Sequence, residues 1–110
     1  MVLKDFLLPG EVIIFQSRKV KSLNDHFIFY ITDQRILLHR RRGVVFKKDR
    51  VISERIDDIK TLDYGEKGFV KKKGVLLIET VSKKMSPIEG KVADIKAIWQ
   101  ELQRYITRQE

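Results

Sequence analysis

The chain of 110 residues has no cysteine, only two histidines and no long apolar run, and each shortage excludes a class of protein. Without cysteine there is no disulfide framework, no thiolate nucleophile and no cysteine-ligated zinc site. Every apolar run is far shorter than the roughly 20 residues that a membrane-spanning helix needs. The N-terminal sequence MVLKDFLLPGE also lacks the apolar core of a signal peptide. We therefore expect a cytoplasmic protein, free or peripherally bound to a membrane, with no transmembrane segment.

Positive charge is what the chain has in excess. It carries 23 Lys and Arg against 15 Asp and Glu, a formal net charge of +8 at pH 7, and residues 18–50 alone carry +7. A local surplus of this kind attracts anionic partners such as nucleic acid, anionic lipid or an acidic protein surface. A chain of this length normally forms one core. We therefore expect a single domain over residues 1–110.

Between about residues 11 and 89 the apolar residues follow the short period of strands, and turn residues interrupt them at intervals of about eight to twelve residues. This pattern predicts about seven antiparallel strands. The sequence HFIFYIT (26–32) is apolar on both faces, which predicts a buried strand, and Asp33 with Gln34 is predicted to turn the chain into RILLH (35–39). Pro87 predicts an edge position for a closing strand over 83–90.

The period changes to that of an amphipathic helix over about residues 91–108. Its apolar stripe consists of Val92, Ile95, Ile98, Trp99, Leu102 and Ile106. Residues at intervals of three and four lie on one face of a helix, so this stripe needs a partner surface. Trp99 is the predicted plug residue, because one indole covers a large apolar area at the open end of a curled sheet.

Four sequence motifs, together with the closing helix and its Trp99, point to a known fold. They are LLPGE (7–11), ITDQRILL (31–38), RIDDIKTL (55–62) and GVLLIET (74–80). A chain with these motifs resembles the bacterial pleckstrin-homology-like (PH-like) domains, including the GRAM-like ones. The resemblance implies a mainly β fold: a PH-like barrel of about seven antiparallel strands in two nearly orthogonal sheets, capped by a C-terminal α-helix.

The sequence offers no recognisable catalytic group. His26 and His39 lie at the ends of two predicted adjacent strands, but two imidazoles without a third ligand make a poor metal site, so both are predicted to be solvent-exposed. Asp57 and Asp58 are neighbours and would point to opposite faces of a strand. There is no P-loop and no dinucleotide-binding glycine motif. We expect a protein that is not an enzyme, with no catalytic residue, no metal and no cofactor.

The resemblance also implies where an anionic ligand would bind. In PH domains that bind phosphoinositides, basic residues on the loops after the first and third strands hold the headgroup phosphates. The matching rim positions here are Lys19, Lys21, Arg40, Arg41 and Arg42. The second strand begins HFIFY without a basic residue, so it departs from the usual pattern. A third basic cluster, Lys71–Lys73, is not part of this predicted rim.

Two functional hypotheses follow from these observations. The leading one is a non-catalytic interaction module that binds a protein partner or self-associates, through open strand edges or the groove beside the helix. The alternative is peripheral binding to anionic membrane lipid through the basic rim. Basic residues at hairpin ends are also commonly solvated without any ligand. Nucleic acid is disfavoured, because Phe46 is the only aromatic residue near the basic clusters and stacking sites need more.

Overall fold

A computed structural model describes residues 6–40 and 50–106, with only the backbone of Ile106. It contains seven strands and one α-helix, with a short 3-10 helix, Ile56–Asp58, between the fourth and fifth strands. The strands are β1 (Ile13–Ser22), β2 (Asp25–Thr32), β3 (Arg35–Arg40), β4 (Arg50–Arg55), β5 (Ile59–Lys67), β6 (Lys73–Thr80) and β7 (Ile88–Lys91), and the helix is α1 (Val92–Ile106). The predicted mainly β fold with a C-terminal helix is confirmed.

The seven strands form one antiparallel sheet in the order β4-β3-β2-β1-β7-β6-β5. The ten-residue strand β1 lies at its centre, pairing along its length with β2 and, near its end, with β7. Its pairing with β2 is irregular at two places, and such bulges bend and twist a strand. The sheet therefore curls into a half-barrel, and the two predicted sheets are hydrogen-bonded through β1 into one.

The concave side of the sheet holds the core, which α1 covers. Ile95, Ile98 and Leu102 of the helix are fully buried there, at the predicted spacing of three and four residues. Trp99 is only partly buried, and its ring centroid lies 5.9 Å from that of Tyr64 on β5. The three aliphatic side chains are thus the most deeply buried part of the plug. Trp99 lies at its margin, because it belongs to the flank of the helical stripe.

Gly74 explains how closely the helix approaches the sheet. A Cβ atom at this position would lie 2.8 Å from the Cβ of Ile95 on the helix, closer than two carbon atoms can pack. The motif GVLLIET therefore begins with glycine for a packing reason. Because Gly74 on β6 has no side chain, Ile95 packs directly against the sheet.

One expectation about the second half of the sheet is wrong. The closing strand was expected at an edge because of Pro87, but β7 lies inside the sheet between β1 and β6. Pro87 immediately precedes this strand, so the ladder needs no hydrogen bond from its nitrogen. The apolar residues Phe69 and Val70 lie at the tip of the β5–β6 hairpin, between the two strands. The sequence VVFKK (44–48), whose apolar residues favour a strand, lies outside the described residues.

The convex side of the sheet carries a second, smaller apolar cluster. Tyr30 and Leu37 are buried there, and Leu7 from the N-terminal segment packs against them. The ring of Phe6 lies 5.7 Å from the ring of His39, which is only 7% exposed. The prediction that His39 is solvent-exposed is therefore wrong, because residues preceding β1 fold back over the outer face of β3.

Candidate functional site

A buried ion pair joins two of the sequence motifs. Glu11 belongs to LLPGE, and Arg35 belongs to ITDQRILL. The Glu11 carboxylate accepts hydrogen bonds from Arg35 Nε at 2.9 Å and from Arg35 Nη2 at 3.0 Å. It also accepts bonds from the Thr32 hydroxyl at 2.6 Å and the Leu8 amide at 2.8 Å. These donors, above all Arg35, lower the pKa of Glu11 from 4.5 to about 2 against the opposing effect of burial. Each oxygen of the Glu11 carboxylate thus already accepts two hydrogen bonds, so the role of this cluster is structural.

The same cluster includes the turn between β2 and β3, where Asp33 and Gln34 lie as predicted. The Thr32 hydroxyl accepts the amide hydrogens of Gln34 at 3.1 Å and Arg35 at 3.0 Å, so Thr32 is the residue that closes the turn. Asp33 instead reaches across to the start of β1, where its carboxylate accepts the Val12 amide at 3.1 Å. The motif TDQR therefore ties the β2–β3 hairpin to the chain entering β1.

Positive charge is concentrated in a groove of about 330 Å³ on the convex side of the sheet, here called the lysine groove. Three chain segments contribute its six lysines: β1, the end of the β5–β6 hairpin, and β7. The lysines are Lys19, Lys21, Lys71, Lys72, Lys73 and Lys91, and the lining also includes Val20, His26, Glu89 and Gly90. With His26 neutral, the lining carries a net formal charge of +5.

The register of the central strands creates this groove. Lys21 on β1 pairs with Glu89 on β7, and Lys73 on β6 pairs with Lys91 on β7. Directly paired residues project from the same face of a sheet, so these side chains share the convex surface. Val20 lies between Lys19 and Lys21 and is buried on the other face, as the alternation along a strand requires. The pairing of Lys21 with Glu89 also brings Lys19 level with Lys91.

Glu89 is the one carboxylate that lines the lysine groove. It forms an ion pair with Lys67, whose Nζ lies 2.9 Å from Glu89 Oε1, and the side chain of Glu89 is 27% exposed. The hydrogen bond from Lys67 lowers the pKa of Glu89, and the charges of Lys67, Lys73 and Lys21 lower it further, while burial acts in the opposite direction. A carboxylate stabilised by three cations reports a positive local potential. The groove is therefore suited to an anion with several negative charges.

Comparison with known proteins identifies the fold. No protein-family model matches the chain, and no curated protein sequence matches it. The chain is similar to the crystal structure of a pleckstrin homology domain from Shewanella amazonensis SB2B, with a TM-score of 0.70 at 21% sequence identity. The match covers 94% of this chain and 90% of that one. This chain has a PH-like fold.

Within this PH-like fold, the five predicted rim residues do not form one described cluster. Lys19 and Lys21 line the lysine groove, whereas Arg40 does not and instead forms an ion pair with Asp25 at the start of β2. Arg41 and Arg42 lie outside the described residues. Lys71–Lys73 were predicted as a separate basic cluster, and Lys91 was not predicted as a site residue. Their proximity follows from the pairing of β7 with both β1 and β6.

The other candidate sites in this fold are weaker than the lysine groove. A cavity of about 550 Å³ is lined by Arg35, Arg55 and Asp57, among others, but each arginine faces a carboxylate: Glu11 for Arg35 and, at 3.8 Å, Asp57 for Arg55. Across residues 6–40 and 50–106, no group of three His, Asp or Glu side chains is placed to hold a metal ion. No helix in these ranges is long and apolar enough to cross a membrane.

Proposed function

We propose that this chain is a non-catalytic binding module that docks on anionic membrane surfaces through the lysine groove. The observation that carries the proposal is the convergence of six lysines from three segments around a single carboxylate. Two of the predicted rim residues, Lys19 and Lys21, belong to this groove. The proposed membrane-binding site therefore includes the β5–β6 hairpin in place of the loop after β3.

The chemistry of the groove favours a lipid surface over one tightly held headgroup. Its six lysines are exposed, mobile point charges, whereas selective recognition of a phosphate uses the planar fork of arginine in a desolvated site. Basic residues near an anionic bilayer contribute about 1 kcal/mol each, and salt weakens their attraction. Several lysines acting together therefore give reversible, salt-sensitive binding to anionic lipid.

Vesicle co-sedimentation tests this proposal. The wild-type chain should bind vesicles of phosphatidylcholine with phosphatidylglycerol, bind phosphatidylcholine alone far more weakly, and lose binding as salt rises. Replacing Lys71, Lys72 and Lys73 by Gln should weaken the partition by about 100-fold, at about 1 kcal/mol for each lysine. The matched control replaces three exposed lysines outside the groove by Gln: Lys60, Lys84 and Lys96.

The control triple variant has the same net charge as the groove variant, so the comparison separates a site from bulk charge. The control should weaken binding only a few-fold, because its lysines are spread over other surfaces. An equal loss in both variants would mean that net charge alone drives association. Equal binding of the wild type to neutral and anionic vesicles would overturn the proposal.

The edge strand β5 supports a second candidate, binding of a protein partner or a second copy. This nine-residue strand ends the sheet and forms a described ladder only with β6. An edge of this kind can accept an added strand from another chain. Size-exclusion chromatography with light scattering tests self-association, since a monomer over the whole accessible concentration range excludes it. Replacing Thr61 on β5 by Pro should abolish any dimer that forms through this edge.

A further inference from the structure

The tip of the β5–β6 hairpin presents two adjacent apolar side chains to solvent. Phe69 is 102% exposed and Val70 is 95% exposed, whereas the next most exposed large apolar residue among those described, Val81, is 72% exposed. Single exposed apolar residues are ordinary on protein surfaces. A fully exposed phenylalanine beside a fully exposed valine loses burial energy at both positions, which is typical of a surface that meets an apolar partner.

The hairpin turn holds this pair away from the rest of the protein. Gly68, just before the pair, has φ +101°, and a Cβ atom there would lie 2.6 Å from the carbonyl oxygen of Lys71. Only glycine fits this tight, left-handed conformation. The turn thus closes between Gly68 and Lys71, so Phe69 and Val70 form the projecting part of the hairpin.

Cations flank the apolar pair on both sides. Lys67 ends β5 just before the turn, and Lys71–Lys73 follow the pair directly and line the lysine groove. Lysine has a flexible stem that lets its ammonium stay at the level of lipid phosphates while neighbouring apolar groups enter the membrane. Aromatic and aliphatic residues beside basic ones are the composition of segments that lie at the boundary between headgroups and acyl chains.

We propose that Phe69 and Val70 form an anchor that inserts into the headgroup–acyl boundary of an anionic bilayer while the lysine groove holds the lipid phosphates. This inference rests on the proposed membrane function and adds a second, salt-insensitive component to it. The occupant is a bilayer and not a protein, because the pair lies between Lys67 and Lys71–Lys73, and the groove beside it carries a net positive charge that complements an anionic lipid surface. The electrostatic attraction of the lysines and the insertion of the apolar pair are each weak, and their contributions to the binding free energy add.

Fluorescence reports insertion directly, because the chain has a single tryptophan. In a Trp99→Phe background, Phe69→Trp places the only indole at the hairpin tip. Adding anionic vesicles should shift its emission to shorter wavelength, and lipids brominated on the acyl chain should quench it. Circular dichroism of the double variant checks the fold.

The second measurement replaces both anchor residues by Ser in the otherwise wild-type chain. Phe69→Ser with Val70→Ser should lower vesicle partition about tenfold, as expected for the loss of a partly buried apolar pair. The binding that remains should be more sensitive to salt, because only the electrostatic component is left. Val12→Ser with Val81→Ser removes two exposed valines elsewhere and should leave the partition within about twofold of wild type, since neither valine lies in the hairpin tip.

The outcomes distinguish the anchor from the proposed function. If the wild type does not bind anionic vesicles, both proposals are overturned. If it binds but the Phe69→Trp emission is unchanged and the Ser variant binds equally well, the anchor alone is overturned. A lipid-free dimer that the Ser variant abolishes would also overturn the anchor, since it would make a second copy the occupant of this surface.

Discussion

Replacing Glu11 by Gln is the sharpest test of how this fold is held together. The carboxylate has 0% side-chain exposure and is bound by two nitrogens of Arg35, by Thr32 and by the Leu8 amide. Its pKa is lowered from 4.5 to about 2. A difference of this size between the folded and unfolded chain corresponds to about 3 kcal/mol of folding free energy at neutral pH. Gln keeps the size of the side chain but leaves the buried guanidinium without its counter-charge.

The direction of the pH dependence follows from the lowered pKa. The stabilisation by Glu11 is fully present above pH 4.5, where the unfolded chain is already ionised, and it is lost as the pH falls toward 2. Glu11→Gln should therefore be about 3 kcal/mol less stable than wild type at pH 7. This difference should shrink below about 1 kcal/mol at pH 2, because the wild-type carboxyl is then about half protonated in the folded chain and almost fully protonated in the unfolded chain. Subtracting the unfolding free energy of the variant from that of the wild type at each pH removes the contribution of the other carboxylates.

Urea unfolding followed by circular dichroism over this pH range measures both quantities. Glu101→Gln is the matched control, because Glu101 meets Arg104 at 3.7 Å on the helix surface, where the arginine is 73% exposed. An exposed pair of this kind contributes well under 1 kcal/mol. A loss below about 1 kcal/mol for Glu11→Gln at pH 7, or a difference that does not change between pH 7 and pH 2, would refute the reasoning.

Three further substitutions test the turn, the helix contact and the groove. Leu23 has φ 53° in a two-residue hairpin turn, a conformation that Asn tolerates better, so Leu23→Asn should stabilise the chain by about 1 kcal/mol, and an unchanged urea midpoint contradicts this. Gly74→Ala should destabilise by about 2 kcal/mol through collision with Ile95, whereas Gly65→Ala, with open space around its Cβ, should cost well under that; equal losses contradict the packing argument. Glu89→Gln should raise partition onto anionic vesicles about fivefold by removing the groove's carboxylate, and a decrease argues against the site.

Local patterns predicted the elements of this fold well. The helix stripe places Ile95, Ile98 and Leu102 in the core because a helix repeats every 3.6 residues whatever it packs against. Strand alternation likewise buries Phe27 and Phe29. The motifs that carried the PH-like resemblance also have physical reasons, since Glu11 and Arg35 form one ion pair, at 2.9 Å.

The errors arose where a residue's environment depends on a distant part of the chain. His39 is buried because Phe6, far away in sequence, folds onto it. Pro87 was expected at an edge, but its strand begins one residue later and lies inside the sheet. The lysine groove required the pairing of Lys21 with Glu89, which joins β1 to β7 across most of the chain. No local pattern specifies that register, because it is set by the curl of the whole sheet.

The distribution of charge along the chain was a misleading guide for the same reason. Residues 18–50 hold most of the net charge, yet two of their arginines face carboxylates in the fold: Arg35 pairs with Glu11, and Arg40 with Asp25. Residues 51–110 carry only +2, but four of their lysines gather in one groove beside a single glutamate. A partner responds to the charge that remains after such pairing, at the place where the sheet assembles it. In this chain Arg35 and Arg40 thus stabilise the contacts of the hairpins, whereas the lysines of the groove present a positive surface, and substitutions in the two sets should affect stability and binding separately.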